Sequence, residues 1–484
     1  MSDAAQQGEA EYGDPEAEPS LPSATLLSRT LRAAPAPDPS PVPRFRGSSE
    51  LVSLAWPAMV SQLVVMTVSA VDVAMVGRLS AEHVAAVGFA SQLYNLSQAM
   101  LLAVGLAGLA VVARASGAGD AARARRALVS ALQLSMGLAS LLIALITGFG
   151  GTVLEGLGAE PAVLGLARPY LALLIASLAP LSVCLVLELG LRAEKNPRAP
   201  LWVAGSVAAA KLALNGPLIF GLLGFPRLEL VGAGIATLVA QLLGLTCFAA
   251  LVARAPAASA LRLRASDLRG DTAVLGRIVQ IALPGVGERF VMNAALLMYF
   301  RLLSEYGSLA IAAYTIGIRF VSFTWIPGTG FGSAASTLVG QALGANRPLE
   351  GSRAGWLALR LALGVAIGMA LVCVLRAQAL ASLFSDDPAL VSELAGLIVA
   401  LGLMQPFLQA QFALGGAHRG AGDSWTPFVA SSVGSCAVRV PLAAAAGLGL
   451  GTDIRWLWGA LVLDHVVRAS WLWLSFRRAK WMRS

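Results

Sequence analysis

Apolar stretches of about 20 residues or more recur along this chain, and each is long enough to cross a hydrocarbon core of roughly 30 Å as a helix rising about 1.5 Å per residue. A water-soluble fold has no place to bury so many. The composition points the same way, with 57% hydrophobic and only 13% charged residues, against roughly 45–50% apolar and 25% charged in a soluble domain. Strand-like alternation is absent, which disfavours a β-barrel, and the Ala and Gly content of the stretches suits close approach of membrane helices.

The apolar stretches predict six helices near residues 51–76, 84–112, 128–150, 164–190, 200–223 and 231–253. Six more follow near 277–302, 309–340, 355–377, 391–416, 427–450 and 456–476. Features of the first six recur in the second at a shift of 227 residues: Pro57 on Pro284, Gly117-Ala118 on Gly344-Ala345, Arg192 on Arg419, Pro200 on Pro427, and Gly232-Ala233 on Gly459-Ala460. An even six-helix unit keeps its orientation when repeated, so the expected fold is an all-α membrane protein of twelve transmembrane helices in two parallel six-helix repeats. The boundaries predict a disordered cytoplasmic tail over 1–50, an N-lobe over 51–253, a linker over 254–276, a C-lobe over 277–476 and a basic tail over 477–484. Two bundles of this kind enclose a cleft that rocking can expose to either side in turn, which is the design of a carrier; a rigid scaffold would leave the intramembrane polar residues without a purpose.

Basic residues are retained in cytoplasmic loops. Alternate loops carry Arg114, Arg123, Arg125 and Arg126, then Arg192, Lys195 and Arg198, then Arg254, Arg262, Arg264, Arg269 and Arg277, then Arg347, Arg353 and Arg419. The other loops carry mainly Arg78, Arg168, Arg227 and Arg455, together with Asp386 and Asp387. Both termini are therefore expected in the cytoplasm, in a bacterial inner membrane. The net charge of +8 reads as this topology signal and not as a nucleic-acid surface. Lys195, Lys211 and Lys480 are the only lysines beside many arginines, as in a GC-rich bacterial gene. Cys184, Cys247, Cys373 and Cys436 fall singly inside apolar stretches, as packing residues and not as a metal site. There is no Walker A loop, HExxH or GxSxG, hence no support for enzymatic chemistry; no cofactor is expected, and energy must come from an ion gradient.

Asp72 lies late in the first helix, where a carboxylate is costly unless it faces a cavity or a partner. Burial favours its neutral, protonated form, whereas a neighbouring cation favours the carboxylate and a Na⁺ or drug-cation site. Lys211 and Asn215, four residues apart in the fifth helix, share one face near Pro217, and Lys211 is a candidate partner for Asp72. Glu288 stands one turn beyond Pro284, able to meet a substrate cation or a basic neighbour. Arg319 and Arg439 are candidates to pair with Glu288 or Asp464, His465 is a weaker candidate, and Glu188 with Arg192 reads as a surface pair. Tyr94, Met292, Met298, Tyr299, Phe323 and Trp325 would suit a flat or cationic substrate.

The segment Val71-Asp72-Val73-Ala74-Met75-Val76-Gly77 resembles the first-helix signature of the multidrug and toxin extrusion (MATE) transporters. Leu338-Val339-Gly340-Gln341-Ala342-Leu343-Gly344-Ala345 resembles the end of that family's eighth helix. Arg419-Gly420-Ala421-Gly422-Asp423-Ser424-Trp425-Thr426-Pro427 is similar to its loop after helix ten, and Val231-Gly232-Ala233-Gly234-Ile235-Ala236-Thr237 to its sixth helix. The resemblance spans about residues 51–475 and implies a V-shaped, two-lobed, monomeric exporter of organic cations and other drugs, driven by inward H⁺ or Na⁺. It places the family's first-helix aspartate at Asp72 and its fifth-helix polar pair at Lys211 and Asn215. The first of that pair is usually asparagine; a lysine would occupy the place of a bound cation, so H⁺ is the favoured coupling ion. Acidic residues found in many relatives appear here as Met292 and Leu408. A flippase for a lipid-linked precursor is the alternative within the superfamily; it would call for a strongly basic central cavity, and the sequence offers few evident cavity cations apart from Lys211.

Overall fold

The computed structural model describes residues 44–156, 160–222, 224–256, 259–263, 267, 271–445 and 453–483. The expected tail up to residue 43, and Arg264 and Arg269 of the linker, lie outside the described residues. Among those described, every regular element is helical. The first half comprises α1 (Ser48–Val76), α2 (Ala81–Gly117), α3 (Ala121–Gly156), α4 (Pro161–Ala176), α5 (Leu178–Ala193), α6 (Arg198–Phe220) and α7 (Glu229–Ala253). The second comprises α8 (Thr272–Leu303), α9 (Ser308–Gly344), α10 (Pro348–Leu375), the short α11 (Ala377–Ala381), α12 (Pro388–Gly420), α13 (Trp425–Ser432), α14 (Val440–Ala444) and α15 (Arg455–Arg477).

The predicted fourth helix is two consecutive segments, α4 and α5, meeting at Ser177, whose hydroxyl donates to the Leu174 carbonyl at 2.6 Å. Between α13 and α14 the chain takes a π-helical turn over Val433–Arg439. Among the described residues, eleven spans are long and apolar enough to cross a membrane. The twelfth, α15, is as long as α6 at 23 residues, but it carries Asp464 and Arg468, which are turned wholly inward at 0% and 1% exposure. Several helices overrun the predicted ends, because the apolar stretch marks only the part in hydrocarbon while the backbone ladder continues into water.

The first helix of each half begins in the core of the other. Leu51, Leu54 and Ala55 of α1 pack among α9, α10 and α12, and Val274, Ile278, Ile281 and Ala282 of α8 pack among α2, α3 and α5. In both cases the crossing contacts run up to and past the repeated proline, Pro57 or Pro284: Met59 lies against Gly330, and Gly285 faces Ala103. The end that carries the arginine-rich loops is where the halves close. Gln341 donates from Nε2 to the Ala193 carbonyl at 2.7 Å and Thr337 donates to the Arg192 carbonyl at 3.3 Å, while within the first half Lys195 bonds Glu50 at 2.6 Å. The repeat-related Gly117 and Gly344 lie backbone to backbone with the opposite half; a Cβ on either would collide with the carbonyl of Gln341 or of Arg114. The turn after α12 is tied by Asp423, which accepts from the Thr426 hydroxyl at 2.6 Å and lies 3.1 Å from Nδ1 of His418. Burial alone would push the Asp423 carboxyl up, but the hydrogen bonds from His418 and Thr426 outweigh it and hold the group below its ordinary value.

Candidate functional site

Asp72 sits four residues before the end of α1 and faces α6. There Lys211 and Asn215, one turn apart, each take one of its oxygens. The Lys211 ammonium bonds Oδ2, and the Asn215 amide donates to Oδ1 at 2.5 Å. Asn215 is fully buried, while the Lys211 and Asp72 side chains keep 19% and 22% exposure. Asn215 has a second, unused resource, because its Oδ1 is buried and has no hydrogen-bond partner. A carboxylate fits this clasp as an acceptor from both neighbours. A protonated Asp72 would give up the ion pair, and a flipped Asn215 amide would accept its O–H through Oδ1.

Asp72, Lys211 and Tyr94 line a cavity of about 530 Å³, with Arg319 of α9 reaching it from the other half. Glu188 also lines it and is bonded to Arg192 four residues along α5. Tyr94, named from the sequence as a cavity residue, is in the wall of this void.

A second cavity, of about 360 Å³, lies mainly in the C-lobe and includes Met292, Trp325, Tyr314, Arg289, Arg439 and Arg468 in its wall. Gln92 and Asn95 of α2 line both cavities, so α2 is a shared wall. Behind the second cavity Asp464 is bonded by Arg439 and by Arg468, and Arg468 also donates to Ser435 at 2.7 Å. Gly434 opens the π-helical turn to this cluster, because a Cβ there would overlap the Asp464 carboxylate and the Arg468 side chain. Single π-helical turns inside transmembrane helices frequently mark functional positions.

Several predicted residues stand elsewhere. Glu288 lines neither cavity: it is 6% exposed and held by Arg419 at 2.9 Å and Ser431 at 2.8 Å, so its carboxylate is spent inside the lobe. Tyr299 also lines neither cavity, since it is fully buried with its hydroxyl donating to the Leu457 carbonyl at 2.9 Å. Met298 and Phe323 are exposed on helix faces. The expectation of few cavity cations is overturned, because Arg289, Arg319, Arg439 and Arg468 join Lys211 in the cavity walls. Arg468 was legible in outline: it follows the intramembrane Asp464 by four residues, the spacing that lets one helix face hold a salt bridge.

Two six-helix lobes joined tightly at one end, each with polar groups sunk between its membrane helices, define a multi-pass membrane transporter. Residues 57–216 and 284–445 match the MatE family, and the chain belongs to it. The two matched blocks start 227 residues apart, at the same shift as the internal repeat. A probable multidrug resistance protein NorM from Bradyrhizobium diazoefficiens is 30% identical, over 88% of this chain and 92% of its own. Another, from Thermotoga maritima, is 26% identical over 91% of this chain and 94% of its own. Among solved structures, a MOP superfamily transporter from Pyrococcus furiosus superposes with a TM-score of 0.84 at 20% identity, over 92% of this chain and all of the other. The chain is therefore a member of a multidrug efflux transporter family with small-molecule substrates.

Proposed function

We propose that this protein is a secondary antiporter of the bacterial inner membrane, with cytoplasmic termini, that exports small organic molecules in exchange for protons carried by Asp72. The observation that carries this reading is the clasp of Lys211 and Asn215 on the two oxygens of Asp72 at the wall of the 530 Å³ cavity. Lys211 fills the position where a coupling Na⁺ would need oxygen ligands, and an ammonium repels a second cation. Protonation of Asp72 breaks the ion pair between α1 and α6. Because α1 also packs on the C-lobe, a change in its hold on α6 is felt by both lobes. The contacts at the basic end correspond to a conformation shut toward the cytoplasm.

The organic-cation expectation draws little support from the cavities. Asp72 and Glu188 in the first are both engaged by cations, and no Asp or Glu stands among the described residues lining the second. The basic second cavity meets one requirement of a lipid-linked precursor flippase, but twelve helices and a 360 Å³ void suit a small solute.

The test is dye movement in liposomes holding the purified protein, under an imposed pH gradient or an imposed Na⁺ gradient. Movement under the pH gradient alone supports proton antiport. Movement driven only by Na⁺ contradicts it.

A further inference from the structure

We infer that the C-lobe cavity is a binding site for an aromatic organic anion, with Arg289, Arg439 and Arg468 receiving the carboxylate, sulfonate or phosphate and Trp325 and Tyr314 receiving the ring. This rests on the exporter reading above and names the charge of the substrate, which that reading leaves open.

The charges around this cavity do not balance. Arg439 and Arg468 share a single carboxylate, that of Asp464. Arg289 forms no ion pair among the described residues, and the neighbouring Glu288 is already held by Arg419 and Ser431. No Asp or Glu lines the void among the described residues. A guanidinium has five donors in a rigid fork, and a buried one left without acceptors is costly. Nε of Arg439 is in that position, because the residue is 8% exposed and this donor has no hydrogen-bond partner. An anion entering the cavity would supply the missing charge, and Arg pairs with carboxylate and phosphate through two parallel bonds.

The rest of the wall fixes the shape of the ligand. Trp325, Tyr314, Met292 and Met404 line the same void. Tyr314 is itself stacked on Trp458, with centroids 6.1 Å apart and planes 9° from parallel, so its ring is held in place. Flat, polarisable surfaces beside fixed cations select a planar anion; an organic cation would meet the same rings and three like charges.

Fluorescein and rhodamine 123 share a xanthene ring and differ in the sign of their charge. Their equilibrium binding to the full-length protein, purified in a neutral detergent, is read by fluorescence anisotropy. Fluorescein is expected to bind at least tenfold tighter than rhodamine 123, and more weakly as ionic strength rises. Arg289→Gln removes a side chain that forms no ion pair or side-chain hydrogen bond among the described residues and should weaken fluorescein at least tenfold with the unfolding temperature kept. Met292→Glu places a carboxylate in the void and should invert the preference. Tighter binding of rhodamine 123, binding of neither dye, or fluorescein binding untouched by both variants would overturn the inference. Rhodamine 123 preferred and moved by a pH gradient would sink the anion site and leave the antiporter standing; fluorescein bound as expected, with neither dye moved by pH, would support the site and sink the antiporter.

Discussion

The ammonium of Lys211 bonds Oδ2 of Asp72 across the α1–α6 contact, so the charge on one helix is balanced only by its partner on the other. Removing either partner leaves the other unbalanced in the membrane. Asp72→Asn and Lys211→Met are each expected to lower stability by about 1–3 kcal/mol, less than for a fully buried pair because both side chains keep some exposure. The double variant should recover most of that loss, since no lone charge remains. Thermal unfolding of the four proteins in detergent gives the cycle; additive losses would mean the pair contributes nothing to holding α1 on α6.

Gly434 is expected to be among the least replaceable residues of the C-lobe. A methyl group there occupies the space of the Asp464 carboxylate and displaces Arg468. Gly434→Ala should cost about 2–4 kcal/mol through overpacking and a broken buried ion cluster. The same thermal measurement checks it, and an unchanged unfolding temperature would show that the π-helical turn can move away from α15.

The closure at the basic end depends on bare backbone at Gly117 and Gly344. Gly344→Ala should push the halves apart there, shifting the population away from the closed arrangement. In a protein whose native cysteines are replaced by serine, a Thr337→Cys thiol, buried in this contact at 1% exposure, should react at least about fivefold faster with a water-soluble maleimide once Gly344→Ala is added, as expected when a ~1 kcal/mol bias shifts a two-state population. Equal rates would mean that this contact does not set the conformation.

Asp423 links stability to pH outside the membrane. Its folded value is depressed below the ordinary 3.8, so the unfolded chain takes up its proton first as pH falls. Its contribution is therefore complete above the unfolded value and fades as pH drops through 3.8 toward the folded value. Asp423→Asn should cost about 1 kcal/mol near neutral pH, with the gap to the parent protein closing in that acidic range. A gap independent of pH would assign the loss to packing of the turn.

The fold was legible because its signals were strong and local. The apolar stretches, the alternation of basic loops and the constant shift between Pro57 and Pro284 each point to two six-helix units. The meeting of Asp72 with Lys211 and Asn215 was legible for a related reason: polar groups in apolar helices need partners, and the four-residue spacing of Lys211 and Asn215 puts both on one face of α6, where each bonds Asp72. For Glu288 the sequence left a substrate cation and a basic neighbour both open, and the structure shows the second, with Arg419, 131 residues away, as the partner. The arginine lining was missed. Arg319 and Arg439 read as ordinary cations in search of carboxylates, Arg289 drew no reading of its own, and only the three-dimensional arrangement shows Asp464 shared between Arg439 and Arg468 while Arg289 lines the cavity without an ion pair among the described residues. The π-helical turn has no sequence signature beyond Gly434, whose role emerges from what lies against it.

The most direct test of the central claim is pH-driven dye transport by Asp72→Asn in liposomes, measured beside the parent protein and beside downhill dye movement without any gradient. Loss of acceleration by the pH gradient, with downhill movement and dye binding retained, is the predicted result and assigns the coupled proton to Asp72. Full pH-driven transport by Asp72→Asn would contradict the account, because Lys211 and Asn215 would then be clasping a carboxylate that carries no proton.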